Sequence, residues 1–440
     1  MEEKKSEHSY IPKNPKDDRL SALRLSNMSV FSGIPEGRNF LVNDMFPVQH
    51  VMTFDKYHFH LGFIEKFNFR TKIRTSTPFF LDMRHVVRAL MLGPTGSGKS
   101  VLLRRIADMA YGANFYIVFM TDVKDEMKSS KKPQTILKER LASTDIPAAM
   151  KVKVFRPIFY NEYFGEDTPS DNEGYQLKYS DLSLNELLSL LNLNRTTSVD
   201  HANIVSIYYN EVTSLEDLSK KIEVDQKISK TTREKLRRRI EGLIKYKVCS
   251  KDGKGDPVKA LQEGFVVVFN HKGFEDVSKG ELINIPLVFF STAMRIIRDA
   301  KEKTLEKKRR LLMFIDEAPV FLRLETTKEE LMRAVNQWRY LGIYIIFAAQ
   351  KAEMIPDWIL TQSRFVFLSH NIDLQSYILT LKFKQKADFH PSFHRDASDV
   401  IRSMKVKPTG EREWLMIDGD VSEETIFFGL PSLSQHLEEM

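Results

Sequence analysis

HVVRALMLGPTGSGKSVLLRRIADMA (His85–Ala110) gives three local instructions in succession. HVVRALML (85–92) is a short apolar run of the kind that forms a strand buried on both faces. GPTGSGKS (93–100) is too rich in glycine to continue either a strand or a helix. Beyond Lys99, the residues Leu102, Ile106 and Met109 recur at helical spacing, and Gly112 supplies a stop. A buried strand, a glycine turn and an amphipathic helix together predict an α/β fold built on a parallel sheet.

The turn itself matches G-x-x-x-x-G-K-[ST] in full, and its strand-before, helix-after context separates it from a chance glycine-rich loop. Glycines let the backbone curl until its N–H groups point inward at phosphate oxygens, and a helix N-terminus adds partial positive charge. The pattern makes Gly93, Pro94, Thr95, Gly96, Ser97, Gly98, Lys99 and Ser100 candidates for binding the phosphates of ATP. In this pattern Lys99 reaches the β- and γ-phosphates and the Ser100 hydroxyl ligates Mg2+.

Similar apolar runs follow: FYIVFM (115–120), FVVVF (265–269), LLMFI (311–315), IYIIFAA (343–349) and RFVFL (364–368). Helical patterns separate several of them, so the expected fold is α/β with a mostly parallel central sheet. Residues 1–20 read as a flexible tail and 21–82 as a small β-rich N-terminal element around FDKYHFHLGFIEKFNFR. The main domain is expected over 83–180 and 262–400, with a mainly helical insertion at 181–261. EREWLMID (411–418) and ETIFFG (424–429) predict a β pair within a C-terminal segment, 401–440.

Hydrolysis of a nucleotide needs a metal anchor besides Ser100 and a group that orients water. LLMFI runs straight into Asp316 and Glu317, and no other apolar run here ends in adjacent acids. Asp316 is the candidate Mg2+ carboxylate and Glu317 the candidate base; an ordinary acidic strand end is the bland alternative.

Composition sets the bounds. The chain has 440 residues, 42% of them hydrophobic, enough for a core that does not depend on metals or disulfides. A single cysteine, Cys249, excludes an intrachain disulfide framework and fits a reducing compartment. The net charge of +7 leans toward an acidic partner such as nucleic acid. No apolar run approaches the ~20 residues that span a bilayer, and the N-terminus lacks the apolar core of a secretory signal. The expectation is a cytoplasmic protein with no membrane insertion.

With these residues in place, the chain resembles the HerA/FtsK superfamily of ring-forming, DNA-pumping ATPases. RALMLGPTGSGKS resembles the family's first strand and P-loop, and MFIDEAPVFL its acidic strand. FMTDVKDE (119–126) is similar to its second strand, which usually ends D-x-K-G-E, although Asp125 stands where that glycine belongs. WRYLGIYIIFAAQ (338–350) is the most specific match: Arg339, Gly342 and Gln350 fall on the family's order of arginine, glycine, apolar strand and glutamine.

The resemblance implies a RecA-like P-loop NTPase. It implies that Gln350 reports on the γ-phosphate and that Arg339 acts in trans as an arginine finger; a solvated amide and a surface arginine (Arg333 is close by) are the alternatives. It further implies a homo-oligomer, commonly a hexamer, and DNA as partner, single- or double-stranded, alongside a nuclease, a secretion channel or a capsid. Lys124 and the loop CSKDGKGDPVK (249–259), with Lys251, Lys254 and Lys259, are candidate DNA contacts, as are Arg323 and Lys328. A protein secretion or assembly ATPase without processive DNA movement is the competing reading.

Overall fold

The computed structural model describes residues 57–68, 73–83, 88–122, 150–169, 172–193, 198–277, 282–323, 325–384, 404, 412–418 and 423–429. In chain order the strands begin β1 (His58–Asn68), β2 (Ile73–Asp82), β3 (Arg88–Leu92), β4 (Tyr116–Asp122) and β5 (Val152–Pro157). They continue β6 (Asn172–Tyr175), β7 (Leu177–Lys178), β8 (Cys249–Ser250), β9 (Val266–Asn270) and β10 (Leu311–Ile315). The last are β11 (Ile343–Ala349), β12 (Phe365–Ser369), β13 (Glu413–Asp418) and β14 (Glu423–Gly429). Every apolar run read as a strand is one, within two or three residues at the ends.

The chain divides into two units. The first comprises Met1–Asn114, Lys131–Ala149 and Ile346–Met440. Its strands lie in the order β2-β1-β14-β13-β12-β3. β12 and β3 are parallel, with Leu368 opposite Leu92. The other pairs are antiparallel, so an early and a late strand of the sequence pair directly: Gly62 of β1 faces Gly429 of β14. β13 runs against β12, Trp414 opposite Ser369, and therefore starts at the edge where β12 and β3 end. The helix Lys99–Gly112 follows β3 and buries Leu102, Leu103, Ile106, Ala107 and Ala110. Gly112 is its last residue, and the left-handed exit falls on Asn114 (φ 64°), a side chain that tolerates that region.

The second unit comprises Phe115–Ser130 and Met150–Ile345. Its strands β10-β4-β9-β5-β6 are all parallel. Every residue of β10 and β4 is buried, and Phe119 stacks on Phe314 at 4.4 Å between ring centres. Burying each such Leu, Ile or Phe side chain stabilises by about 1.5–3 kcal/mol relative to exposure. β5 and β6 were not evident as apolar runs because β6 is the outermost strand of this order and β5 pairs directly with it. There Lys153 pairs with Glu173 at 2.7 Å, leaving a mixed rather than uniformly apolar sequence.

Between β7 and β9 the chain is helical over Leu184–Leu190, Val199–Tyr209, Leu215–Val224, Lys230–Lys245 and Pro257–Gln262. Their starts are written locally. Ser214, Ser229 and Asp256 accept backbone N–H groups of the first turn, and Ser183 with Glu186 forms a capping box. Glu186 also binds the helix Asn284–Lys303, accepting from Ser291 (3.2 Å), Thr292 (3.1 Å) and Arg295 (2.8 Å). The chain passes from the second unit to the first within β11, between Ile345 and Ile346.

Candidate nucleotide site

In the first unit, the backbone leaves β3 at Gly93 and re-enters regular structure at Lys99. Gly96 (φ 77°) and Gly98 (φ 93°) take left-handed conformations, which is where glycine is required. The Ser97 N–H donates to the Pro94 carbonyl at 3.2 Å and closes the turn. Lys99 is buried, its Nζ donating to the carbonyls of Gly93 at 2.5 Å and Pro94 at 3.2 Å. The lysine head is thus held inside the curl of the loop. No acidic residue lies in the first turn of the helix Lys99–Gly112, so its N-terminal positive end meets no carboxylate of its own. The Ser97 hydroxyl is buried without a hydrogen-bond partner among the described residues. An orphaned donor inside a curl of backbone N–H groups fits an acceptor-rich phosphate.

Three neighbours complete this region. A Cβ on Gly93 would lie 2.2 Å from Ser369 Oγ and 2.7 Å from Ser97 Oγ, so the two hydroxyls close around that glycine. The Gly93 N–H donates to the Ala349 carbonyl at 3.2 Å, which sets half-buried Gln350 beside the loop in chain terms. Finally, Arg412 approaches Gly98, its Cδ 3.3 Å from where a Cβ would stand. Next to Ser369, half-buried His370 has its pKa lowered, first by burial and second by the charge of Arg412. Ser369, His370 and Arg412 were not read from sequence. The usable signal was a polar Ser-His-Asn run ending the apolar strand RFVFL.

In the second unit, β10 ends in Asp316 and Glu317, both half-buried. Glu317 sits in the left-handed region (φ 48°, ψ 41°), which a side chain with a Cβ occupies at a cost of ~1–2 kcal/mol. Hydrogen bonds hold it there. Its N–H donates to Asp316 Oδ1 at 2.9 Å, its carbonyl accepts from the Val320 N–H at 3.0 Å, and Thr121 Oγ1 donates to the Asp316 carbonyl at 2.7 Å. Thr121 on β4 is therefore a support of the acidic turn that the spacing alone did not show. Behind it, Phe321 packs on Phe274, Phe290 and His271.

Arg339 is exposed on the short 3-10 turn Trp338–Leu341, which buried Trp338 anchors. Gly342 (φ 69°) reverses the chain there, its N–H donating to the Arg339 carbonyl at 3.0 Å and its carbonyl accepting from Leu311 at 2.9 Å. Lys124 and Asp125 lie outside the described residues. The 249–259 loop is pinned rather than free: Gln176 and Lys254 exchange backbone hydrogen bonds at 2.9 and 3.0 Å. A Cβ on Gly253 or Gly255 would meet backbone oxygen at 3.0 Å, so these glycines permit close packing. Lys251, Lys254 and Lys259 are exposed, Lys259 within 3.9 Å of Glu263. Arg323 is exposed as well, and Lys328 pairs with Glu325 at 3.0 Å.

A strand–loop–helix of this geometry, a buried loop lysine and an acid pair ending a parallel strand define an α/β P-loop NTPase with a RecA-like, mostly parallel sheet. The family model described as helicase HerA, central domain, matches residues 71–287. Among solved structures, VirB4 of Thermoanaerobacter pseudethanolicus is 14% identical over 87% of this chain and 99% of its own, with a TM-score of 0.53. The bacterial conjugative coupling protein TrwBdeltaN70 is 14% identical over 80% of this chain and 84% of its own, TM-score 0.43. The genome packaging NTPase B204 from Sulfolobus turreted icosahedral virus 2 is 11% identical over 79% and 98%, TM-score 0.30. No curated protein matches the chain. The chain is thus similar to HerA-type P-loop proteins: the HerA central-domain model matches just under half of it, and VirB4 shares its fold.

Proposed function

We propose that this protein is an ATP-hydrolysing ring motor that moves DNA. The observation that carries the nucleotide chemistry is the preformed loop Gly93–Ser100, curled around the Lys99 head with the Ser97 hydroxyl still unpartnered. In this reading the loop N–H groups hold the phosphate chain, Lys99 neutralises the β- and γ-phosphates, and Glu317 draws a proton from the attacking water. Gln350 registers loss of the γ-phosphate. Arg339, exposed on its turn, serves the nucleotide of a neighbouring subunit in a homo-hexamer.

The oxygens of Ser100 and Asp316 are hard donors of the type Mg2+ takes. Among the described residues no cluster of three acidic, His or Cys ligands forms a dedicated metal cage. That fits an ion held by one or two protein oxygens together with substrate phosphates. When bound, magnesium offsets charge on the phosphoryl oxygens as the bond to the leaving group breaks.

DNA as the cargo is supported by the HerA family match, the net charge of +7 and the exposed lysines of the 249–259 loop. No helix among the described residues is long and apolar enough to cross a membrane. The test is the steady-state ATPase rate without nucleic acid, with single-stranded and with double-stranded DNA, at low and moderate salt. Stimulation by one DNA form that fades as salt rises supports the motor and names its track. A rate indifferent to both forms assigns the hydrolysis to protein secretion or assembly instead.

A further inference from the structure

We propose that Arg412, delivered by the C-terminal strand pair, is a phosphate ligand of the nucleotide bound in the same subunit. The inference rests on the nucleotide reading of the loop and adds a binding residue that none of the loop, acid-pair or arginine-turn motifs contains.

Sheet register brings the residue there. β3 and β12 run parallel and end together, Leu92 opposite Leu368. β13 returns antiparallel with Trp414 opposite Ser369, so Arg412 lies two residues beyond that pair, past the strand ends and over the loop. Its side chain reaches Gly98: Cδ, Nη1 and Nε stand 3.3, 3.7 and 3.9 Å from the point a Cβ would occupy. Gly98 is the left-handed residue at which the loop becomes helix, so its surroundings are the N–H groups that face phosphate. The absence of a side chain at Gly98 is what admits the guanidinium.

Buried polar atoms near Arg412 are left unsatisfied among the described residues. Lys99 Nζ already satisfies two loop carbonyls, while Ser97 Oγ and His370 Nδ1 are buried and without hydrogen-bond partners among the described residues. A guanidinium offers five donors in a planar fork and accepts nothing. A phosphate chain is acceptor-only and carries several oxygens, so one ligand answers Arg412 and the Ser97 hydroxyl together.

The experiment measures equilibrium affinity for Mg-ATP and Mg-ADP, with thermal unfolding at and without saturating nucleotide, for wild type, Arg412→Ala, Arg412→Lys and Arg412→Gln. Arg412→Ala is expected to weaken both nucleotides about 10- to 100-fold, the range of one charge-assisted hydrogen-bonding group. Arg412→Lys should recover part of that loss and Arg412→Gln little, with nucleotide-free unfolding unchanged in all three. Should Arg412→Ala fail to fold, the Lys and Gln variants carry the comparison. Affinities within twofold of wild type overturn the assignment. So does a loss matched by an equal fall in nucleotide-free stability, which marks Arg412 as a strut of β13. If wild type itself binds neither nucleotide, the loop reading falls and this proposal with it; if wild type binds and the variants bind equally, only Arg412 is wrong.

Discussion

Replacing Glu317 with glutamine changes one oxygen to nitrogen in a turn whose backbone is already fixed. The left-handed conformation (φ 48°) and the hydrogen bonds from Glu317 N–H to Asp316, Val320 N–H to the Glu317 carbonyl and Thr121 to the Asp316 carbonyl do not involve the Glu317 carboxylate. Glutamine should therefore adopt the same shape while losing the ability to take a proton. Removing a general base lowers the chemical step by about 10²–10⁴-fold, or ~2.7–5.5 kcal/mol at ~1.36 kcal/mol per decade. Nucleotide affinity should stay within about threefold, since in the proposed scheme the base serves water rather than phosphate. Glu317→Gly is the informative companion. It removes the same carboxylate, relieves ~1–2 kcal/mol of left-handed strain, and loses about 0.5–1 kcal/mol to glycine's backbone freedom. The two variants should be equally inactive, with the glycine form as stable as wild type or slightly more so. Single-turnover hydrolysis with equilibrium nucleotide binding checks the first expectation, and chemical denaturation checks the second. Glu317→Gln turnover above a tenth of wild type, or binding lost together with turnover, would refute the assignment of Glu317 as base.

Lys99→Ala removes the head that holds the Gly93 and Pro94 carbonyls, and should cut nucleotide affinity by about 10- to 150-fold in a direct binding assay. Arg339→Ala should leave binding intact yet abolish cooperative turnover; mixtures with Lys99→Ala subunits that show the same activity at every ratio would exclude a role in trans. His271 is fully buried, and burial first, then Arg156, pushes its pKa down to about 3, below its ordinary 6.5. The unfolded chain therefore takes up a proton before the folded one does. This stability is complete above about pH 6.5 and declines as pH falls toward 3, by about 2 kcal/mol at pH 5. His271→Gln should flatten that acid limb in denaturant titrations between about pH 7 and 5, whereas an unchanged limb would place the sensitivity elsewhere.

The fold was legible wherever burial is two-sided. LLMFI and IYIIFAA occur as strands at the residues their composition marks, because interior parallel strands have no polar face to blur the pattern. β5 escaped because Lys153 answers Glu173 across the sheet edge, which breaks the apolar run. The loop was legible because its chemistry is contiguous: glycines, lysine and serine must be neighbours to wrap one phosphate chain. Arg412 was not, since it reaches Gly98 only through the antiparallel return of β13, and no local spacing records a register between segments so far apart in the chain. Thr121 lies between these cases, present in a recognisable strand but with its role set by the neighbouring strand's carbonyl.

The pairing of β1 with β14 also fixes an order of events during synthesis. Gly62 finds its partner Gly429 only after the intervening residues have been made, roughly 20 to 70 s later at ordinary elongation rates. Through that interval the β1–β2 hairpin carries an unpaired edge, a surface on which other nascent chains can add strands. Productive folding of the first unit thus depends on shielding an early hairpin until β14 arrives. A cell short of holding chaperones should accumulate this protein as aggregate well before it loses the all-parallel unit, whose strands are all made by residue 315.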